Sequence, residues 1–196
     1  KQVEASHCFL ADASSILNAS LDNKTLLTNI AKYAVPFLGD YCFFDIVDGE
    51  IQRVAWQHKD PAKQQWFDRV VNYVPSLDTH HPVAAVLSSG KSYFVPVVSD
   101  EWLQAIATSP QHLQFLRACK IRSWMTVALV VQQRRLGTLT FCLSTDSSRD
   151  YTETDLRLAE ELAHRVALAL DCAQLYAQAQ EANRTKDQFL AVLSHE

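Results

Sequence analysis

Apolar residues along this chain recur at two different periods. Over residues 6–34, Phe9, Ala13, Ile16 and Leu17, then Leu26, Leu27, Ile30 and Ala34, keep the 3.6-residue spacing that predicts helix. The stretch "SLD" at 20–22 breaks this region in two, and Asp22 stands where a helix cap is wanted. Pro36 and Gly39 are expected to end it. The stretch "YCFFDIVDGEIQRVAW" then switches to β-rich runs around Asp48-Gly49, a two-residue turn signal that predicts a hairpin. Residues 61–74 read as helix opened by Pro61. Residues 92–98, "SYFVPVV", read as a strand that Pro96 pushes to a sheet edge. Residues 100–118 read as one or two short helices divided near Ser109-Pro110.

A second hairpin follows in "IRSWMTVALVVQQRRLGTLTFCLS". Leu139, Phe141 and Leu143 alternate with Thr138, Thr140, Cys142 and Ser144, while Met125, Val127 and Leu129 alternate with Thr126, Ala128 and Val130. Apolar groups fall on both faces, so the sheet is expected to be covered on both sides. From Thr152 the pattern is helical almost to the last residue, with no Gly or Pro after Tyr151. Thr152 can cap this helix, and Glu153 and Asp155 suit its positive end. At ~1.5 Å per residue it exceeds roughly 60 Å, so it must leave the domain that precedes it. The order of elements predicts an α+β fold: an antiparallel sheet flanked by N- and C-terminal helices, the last one long.

The apolar stripe of that helix changes register. Leu156, Ala159, Ala163, Val166, Ala167 and Leu170 follow a helical face suited to covering the sheet. Leu168, Cys172, Leu175, Ala179, Ala182, Lys186, Phe189 and Leu193 are spaced alternately four and three apart, the heptad seam of a coiled coil, broken only by Lys186. A parallel homodimer is expected along it.

Composition narrows the function classes. The 196 residues are 48% hydrophobic and 20% charged, ordinary for a globular chain, and the net charge of −4 gives no general attraction to nucleic acid or anionic lipid. No apolar run approaches the ~20 residues needed to span a bilayer, and the start does not read as a signal peptide. The five cysteines are dispersed without a C-x-x-C, which argues against a zinc site or a disulfide framework and suits a reducing cytoplasm. They are expected to be small core residues. No metal site is expected.

The last ten residues, "DQFLAVLSHE", carry the candidate chemistry. His195 lies about 120° around the helix from Phe189, off the seam and toward solvent. An exposed imidazole is a competent nucleophile toward phosphorus, and the adjoining Glu196 can orient one ring nitrogen while the other attacks.

"KDQFLAVLSHE" closely resembles the H-box that opens the dimerisation and phosphotransfer domain of sensor histidine kinases, roughly D-x-F-L-A-x-x-S-H-E-L-R-T-P-L. Asp187, Phe189, Leu190, Ala191, Ser194, His195 and Glu196 match it. The resemblance implies that His195 is the phosphoacceptor and that Glu196 helps to position or deprotonate it. It also implies a response-regulator receiver domain as partner and ATP as the parent kinase's cofactor, bound outside this chain, which lacks the Asn- and Gly-rich ATP-binding motifs. By itself the chain is then not an enzyme. "ADASSILNASLD", "LGDYCFFDIVD", "LRACKIRSWMTVALVVQQRRLGTLTF" and "YTETDLRLAEELAHRVALALDCAQLYAQAQEA" resemble the GAF domain that often precedes a kinase core. The implied division is a GAF sensory domain over residues 1–170, then a coiled-coil linker and the start of the phosphotransfer domain over 171–196. The alternative is a free-standing GAF module that binds a small molecule or dimerises without a kinase role. Departures from the family pattern are Ala128 for a common Pro, Lys120 for the Gly before "IRS", and Cys172 for a common Asn.

GAF domains commonly hold a small molecule between the sheet and the helices and loops over one face. Candidate lining residues here are Phe43, Asp45, Trp56, Phe94, Phe115, Cys119, Ser123, Trp124 and Phe141. Covalent bilin attachment wants Cys followed by His, whereas Lys120 follows Cys119; the N-K-x-F-D-E pattern of cyclic-nucleotide-binding members is missing. His80-His81-Pro82 reads as a solvated loop, and a redox role for Cys119 or Cys42 would need a lowered thiol pKa.

Overall fold

The computed structural model describes residues 2–77 and 80–194, with side chains described from 4 to 188. Helix α1 (Gln2–Leu17) is followed by α2 (Asn23–Leu38), whose first turn is closed by the Asp22 carboxylate accepting from the Thr25 N–H at 2.8 Å. Pro36 does not end this helix. It sits in the last turn, where the one bond it forfeits leaves the rest of the ladder intact.

Strands β1 (Tyr41–Asp48) and β2 (Glu50–His58) form the first hairpin, with Gly49 at φ +73° in the turn. The expected helix over 61–74 is α3 (Pro61–Phe67) continued by a 3₁₀ segment (Asp68–Asn72). Helix α4 (Pro82–Ser89) was not expected from the sequence pattern. Strand β3 (Tyr93–Val95) is shorter than 92–98 because Pro96 cannot donate to a ladder. Helices α5 (Asp100–Ile106) and α6 (Pro110–Ala118) are divided at Ser109, whose hydroxyl caps α6. Strands β4 (Ile121–Val131) and β5 (Arg134–Ser144) lead to α7 (Glu153–Ser194), which is 42 residues long. At its start Thr152 and Asp155 bond reciprocally, a capping-box arrangement.

All strand pairings are antiparallel, in the order β2-β1-β5-β4-β3. One face carries Cys42, Phe44, Met125, Val127, Leu129, Leu139, Phe141 and Leu143 and is covered by α1, α2 and the first half of α7. Phe9, Ala13 and Leu17 of α1 are buried there with Leu26, Ile30 and Ala34 of α2 and Ala159, Ala163 and Val166 of α7. The opposite face carries Tyr41, Phe43, Trp124 and Cys142 beneath the segment that holds α3 to α6.

Pairing outward from the hairpin turn sets Arg53 opposite Asp45, and a bulge between Phe44 and Asp45 then skips Val54. Gly137 makes room for it: a Cβ there would lie 2.1 Å from the Asp45 carbonyl oxygen. Lys120, where the family commonly has Gly, has φ +51°. The turn into β4 thus needs the left-handed backbone that Gly provides without strain.

Helix α7 leaves the domain after Ala173, its last buried residue. Residues 174–188 are exposed throughout. The stretch from there to Ser194 projects by roughly 30 Å at ~1.5 Å per residue.

Candidate functional site

Strand alternation decides which residues reach the second face of the sheet. Tyr41 and Phe43 of β1 and Trp124 of β4 point to it, and Phe67, Tyr73, His81, His112, Phe115 and Cys119 close over them from the covering segment. Together with Arg53, Val70, Leu116 and Ile121 they enclose a cavity of about 20 Å³, room for about one water. Its wall is aromatic. Phe43 meets Trp124 edge-on at 5.7 Å and Tyr73 lies flat against His112 at 4.9 Å and 5°, while Trp66, outside the lining, stacks on Phe115 at 5.0 Å.

One ion pair is buried behind this wall. Arg53 grips Asp45 with two bonds, Nε to Oδ1 at 2.8 Å and Nη2 to Oδ2 at 3.0 Å, while its guanidinium lies 3.8 Å from the Phe43 ring centroid. Its remaining nitrogen, Nη1, donates to the carbonyls of Val70 at 3.0 Å and Tyr73 at 3.4 Å. Arg53 therefore ties the segment after α3 to the sheet, and Asp45 cancels its charge.

Two histidines stand on the cavity wall. His81 is buried and caps α4, its Nδ1 accepting from the Val83 N–H at 3.2 Å. The expectation of a solvated loop at His80-His81-Pro82 is corrected at His81: Pro82 is the first helical residue of α4, which draws the preceding imidazole inward as cap. His112 is also buried, and its Nδ1 accepts from the Thr108 N–H at 3.1 Å. Burial, then the nearby Arg53 charge, then His112 lower the pKa of His81 to about 3. Burial, then Arg53, lower that of His112 to about 4. Both rings are neutral near pH 7.

Of the nine residues read as cavity lining, Phe43, Phe115, Cys119 and Trp124 are there. Phe94 and Phe141 are not. Phe94 pairs with Met125 and Met125 with Phe141, so all three point to the helix-covered face. Asp45 points toward the cavity face but is engaged by Arg53. Ser123 donates to the Pro96 carbonyl, and Trp56 sits on edge strand β2 with its indole N–H donated to Asp68 at 2.9 Å. The sequence reading missed Tyr41, Arg53, Phe67, Tyr73, His81 and His112.

The cysteines divide. Cys42, Cys119 and Cys142 are buried, whereas Cys8 and Cys172 are exposed, against the expectation of five core residues. Burial pushes the Cys119 thiol up to about 12 and raises that of Cys42 as well, so neither is a ready thiolate. Along the expected seam, Leu168, Cys172, Leu175, Ala179 and Ala182 are exposed. Phe189 and Leu193 belong to α7, but their side chains, like all of His195 and Glu196, lie outside the described residues. Among the described residues no helix is long and apolar enough to cross a membrane.

The architecture defines a class: an α+β domain whose five-stranded antiparallel sheet has a helical layer on one face and a capped cavity on the other. The GAF domain family model matches residues 22–170, and the chain belongs to the GAF family. Solved structures agree on the fold. The GAF domain of a phosphoenolpyruvate-protein phosphotransferase from Coxiella burnetii superposes with a TM-score of 0.68 at 15% identity, over 91% of this chain and 99% of that one. A free methionine-R-sulfoxide reductase from Neisseria meningitidis, solved with its substrate, gives 0.64 at 18% identity, over 90% and 94%. The GAF-B domain of DevS from Mycobacterium smegmatis gives 0.59 at 13% identity, over 81% and 99%. No curated protein matches the chain in sequence.

Proposed function

We propose that this chain is the sensory GAF module of a cytoplasmic two-component histidine kinase, dimeric through α7, with His195 as phosphoacceptor. The observation that carries this reading is the continuity of α7. The helix begins at Glu153, is packed on the sheet as far as Ala173, and runs unbroken to Ser194, next to His195 in the H-box-like "LSHE". A change at the cavity that shifts the sheet against α7 therefore has a continuous helical path as far as Ser194. Phosphoryl transfer depends chiefly on positioning and charge stabilisation, so its acceptor is best held on such an element. ATP is bound by the parent kinase outside this chain, and a response-regulator receiver domain takes the phosphoryl group from His195. Glu196 orients the imidazole.

The test is ATP labelling of the chain extended through the parent's ATP-binding domain. His195→Gln abolishes acid-labile label without unfolding the domain, and Glu196→Gln slows labelling. Undiminished acid-labile label on His195→Gln removes the assignment and leaves the chain as a GAF module without this kinase role.

The dimer has its own test. Leu175 is 55% exposed and Leu168 44%, a large apolar cost for a lone helix in water. Leu175→Glu places like charges across a parallel seam and is expected to weaken the dimer at least tenfold by sedimentation. Mild oxidation is expected to join two chains through Cys172, which a parallel seam brings opposite its twin. An unchanged dimer in Leu175→Glu moves the interface elsewhere.

A further inference from the structure

Two consecutive arginines at the tip of the second hairpin hold helices on opposite sides of the sheet. The pairing of β4 with β5 is broken by a bulge that skips Leu136: Leu129 faces Gly137, but Val130 faces Arg135 and Val131 faces Arg134. The bulge inverts the phase of the strand beyond it. Counted back from Phe141 and Leu139, an unbroken alternation would send Arg135 to the helix-covered face and Arg134 to the cavity face. The contacts are the reverse. Arg135 reaches α4 on the cavity face, and Arg134 reaches α7 on the other.

Each arginine meets its helix at a critical point. Helix α4 begins at the cavity: its cap is His81, on the wall, and Val83 in its first turn is fully buried. Its last turn contains no basic residue, and the carbonyls there have no partner within the helix. Arg135 serves them from another strand, Nη1 donating to the Leu87 carbonyl at 3.0 Å and to that of Ser88 at 2.7 Å. Gly90 leaves the room: a Cβ there would stand 3.3 Å from Arg135 Nε. Arg134 holds α7 with Nη1 on Asp171 Oδ1 at 3.0 Å and Nη2 on Gln174 Oε1 at 3.2 Å. Those two residues straddle Ala173, the last buried residue before α7 leaves the domain. Both arginines are paired in the ladder, so neither backbone shifts without the other.

We propose that Arg134 and Arg135 form a rocker: movement of α4 at the cavity is carried through the hairpin tip to the point where α7 leaves the domain. Its part in signalling rests on the reading that the cavity face senses and α7 transmits. Both arginines are positioning residues. A direct route competes with this one, since Ser92, just after α4, donates to Glu160 of α7 at 2.5 Å. That bond meets α7 about three turns before Asp171, so variants can separate the two routes.

Amide hydrogen exchange in the 196-residue chain tests the rocker. The amides of 170–177 sit where α7 leaves the domain, so they open locally and do not follow global stability. Val83→Ala loosens the seat of α4 at the end away from Arg135. It is expected to speed exchange over 170–177 by about two- to fivefold, the scale of an exposed ion pair. In Arg134→Met or Arg135→Met backgrounds that response disappears, although Arg134→Met by itself raises exchange there. Ser92→Ala leaves the response in place. Loss of the response is a coupling between sites, which a merely structural role would not produce. Should Val83→Ala fail to fold, Gly90→Ala is the second perturbation: its Cβ presses on Arg135, and the same pattern is expected. No change over 170–177 with either perturbation overturns the proposal. So does a response that survives both arginine variants, or one that only Ser92→Ala abolishes. ATP labelling of the extended chain tests the reading beneath: a rocker seen in exchange, with no label on His195, keeps the coupling and removes its place in a kinase.

Discussion

Arg53→Met is expected to lower the stability of the domain by about 3–5 kcal/mol, the usual cost of stranding one partner of a buried ion pair. Asp45 has no exposed surface, and Arg53 is its charged partner on both oxygens. Without the guanidinium, the carboxylate must stay charged in an apolar wall or take up a proton. The double substitution Asp45→Leu with Arg53→Met removes both charges, so it should be markedly less harmful than the sum of the two singles. It does not return to the starting stability. Nη1 of Arg53 also satisfies the Val70 and Tyr73 carbonyls, and losing those partners costs about 1–3 kcal/mol. Urea unfolding of the four proteins gives the coupling energy directly. Additive losses would mean that the pair acts only as packing, and that its bonds contribute little to holding the segment after α3 on the sheet.

That pair was within reach of the sequence. Asp45 and Arg53 sit on adjacent strands, and pairing counted outward from the Asp48-Gly49 turn already sets them opposite one another. What that count does not give is the bulge just beyond them, which skips Val54 where Gly137 of a third strand lies against the Asp45 carbonyl. No local pattern contains the bulge. Other features were legible and only partly read. In β5 the alternation of Leu139, Phe141 and Leu143 with threonines already assigns Phe141 to an aliphatic face. The aliphatic face is the one the long helices cover, and the threonines lie on the opposite face, where Thr126 and Thr140 bond to each other. Phe94 offers no such clue, because a strand of three residues has too few positions to fix its phase. Helix α4 had its signals in place: Pro82 at its first position and Gly90 at φ +72° just past its end. Two adjacent histidines masked them, since paired polar rings before a proline look like surface. His195 is the reverse case. Its proposed role rests on the motif around it, and α7 adds only that the chain up to Ser194 is helical.

Acid is expected to unfold this domain earlier than its carboxylates would. His81 and His112 have folded pKa values lowered to about 3 and about 4, from an ordinary 6.5, with burial the leading cause in both. Below pH 6.5 the unfolded chain binds two protons that the folded domain refuses. Unfolding then gains protons, so stability falls as pH falls, and the loss continues until the folded values are reached. Each histidine contributes up to about 1.4 kcal/mol per pH unit once its unfolded form is fully protonated. Between pH 6.5 and 5 the two remove about 3 kcal/mol together, a large share of the 5–15 kcal/mol typical of a domain. The direction for His58, lowered first by burial and then by Lys63, adds to the same trend. Carboxylates cannot account for a loss in this range, because unfolded Asp and Glu titrate near 4. Asp22, Asp100, Asp146 and Asp150, whose pKa values are lowered by hydrogen bonds to Thr25, Arg117, Lys63 and Arg122, weaken the fold only further down. Urea unfolding at pH 7.5, 6.5, 5.7 and 5.0 measures the slope. His81→Asn should flatten it by about one proton, whatever that change does to stability at neutral pH, because Asn has nothing to titrate. A domain equally stable at pH 7 and pH 5 would show that the imidazoles take up protons while folded, by turning Nδ1 away from Val83 or Thr108. The cavity wall would then be a mobile polar surface rather than a fixed one.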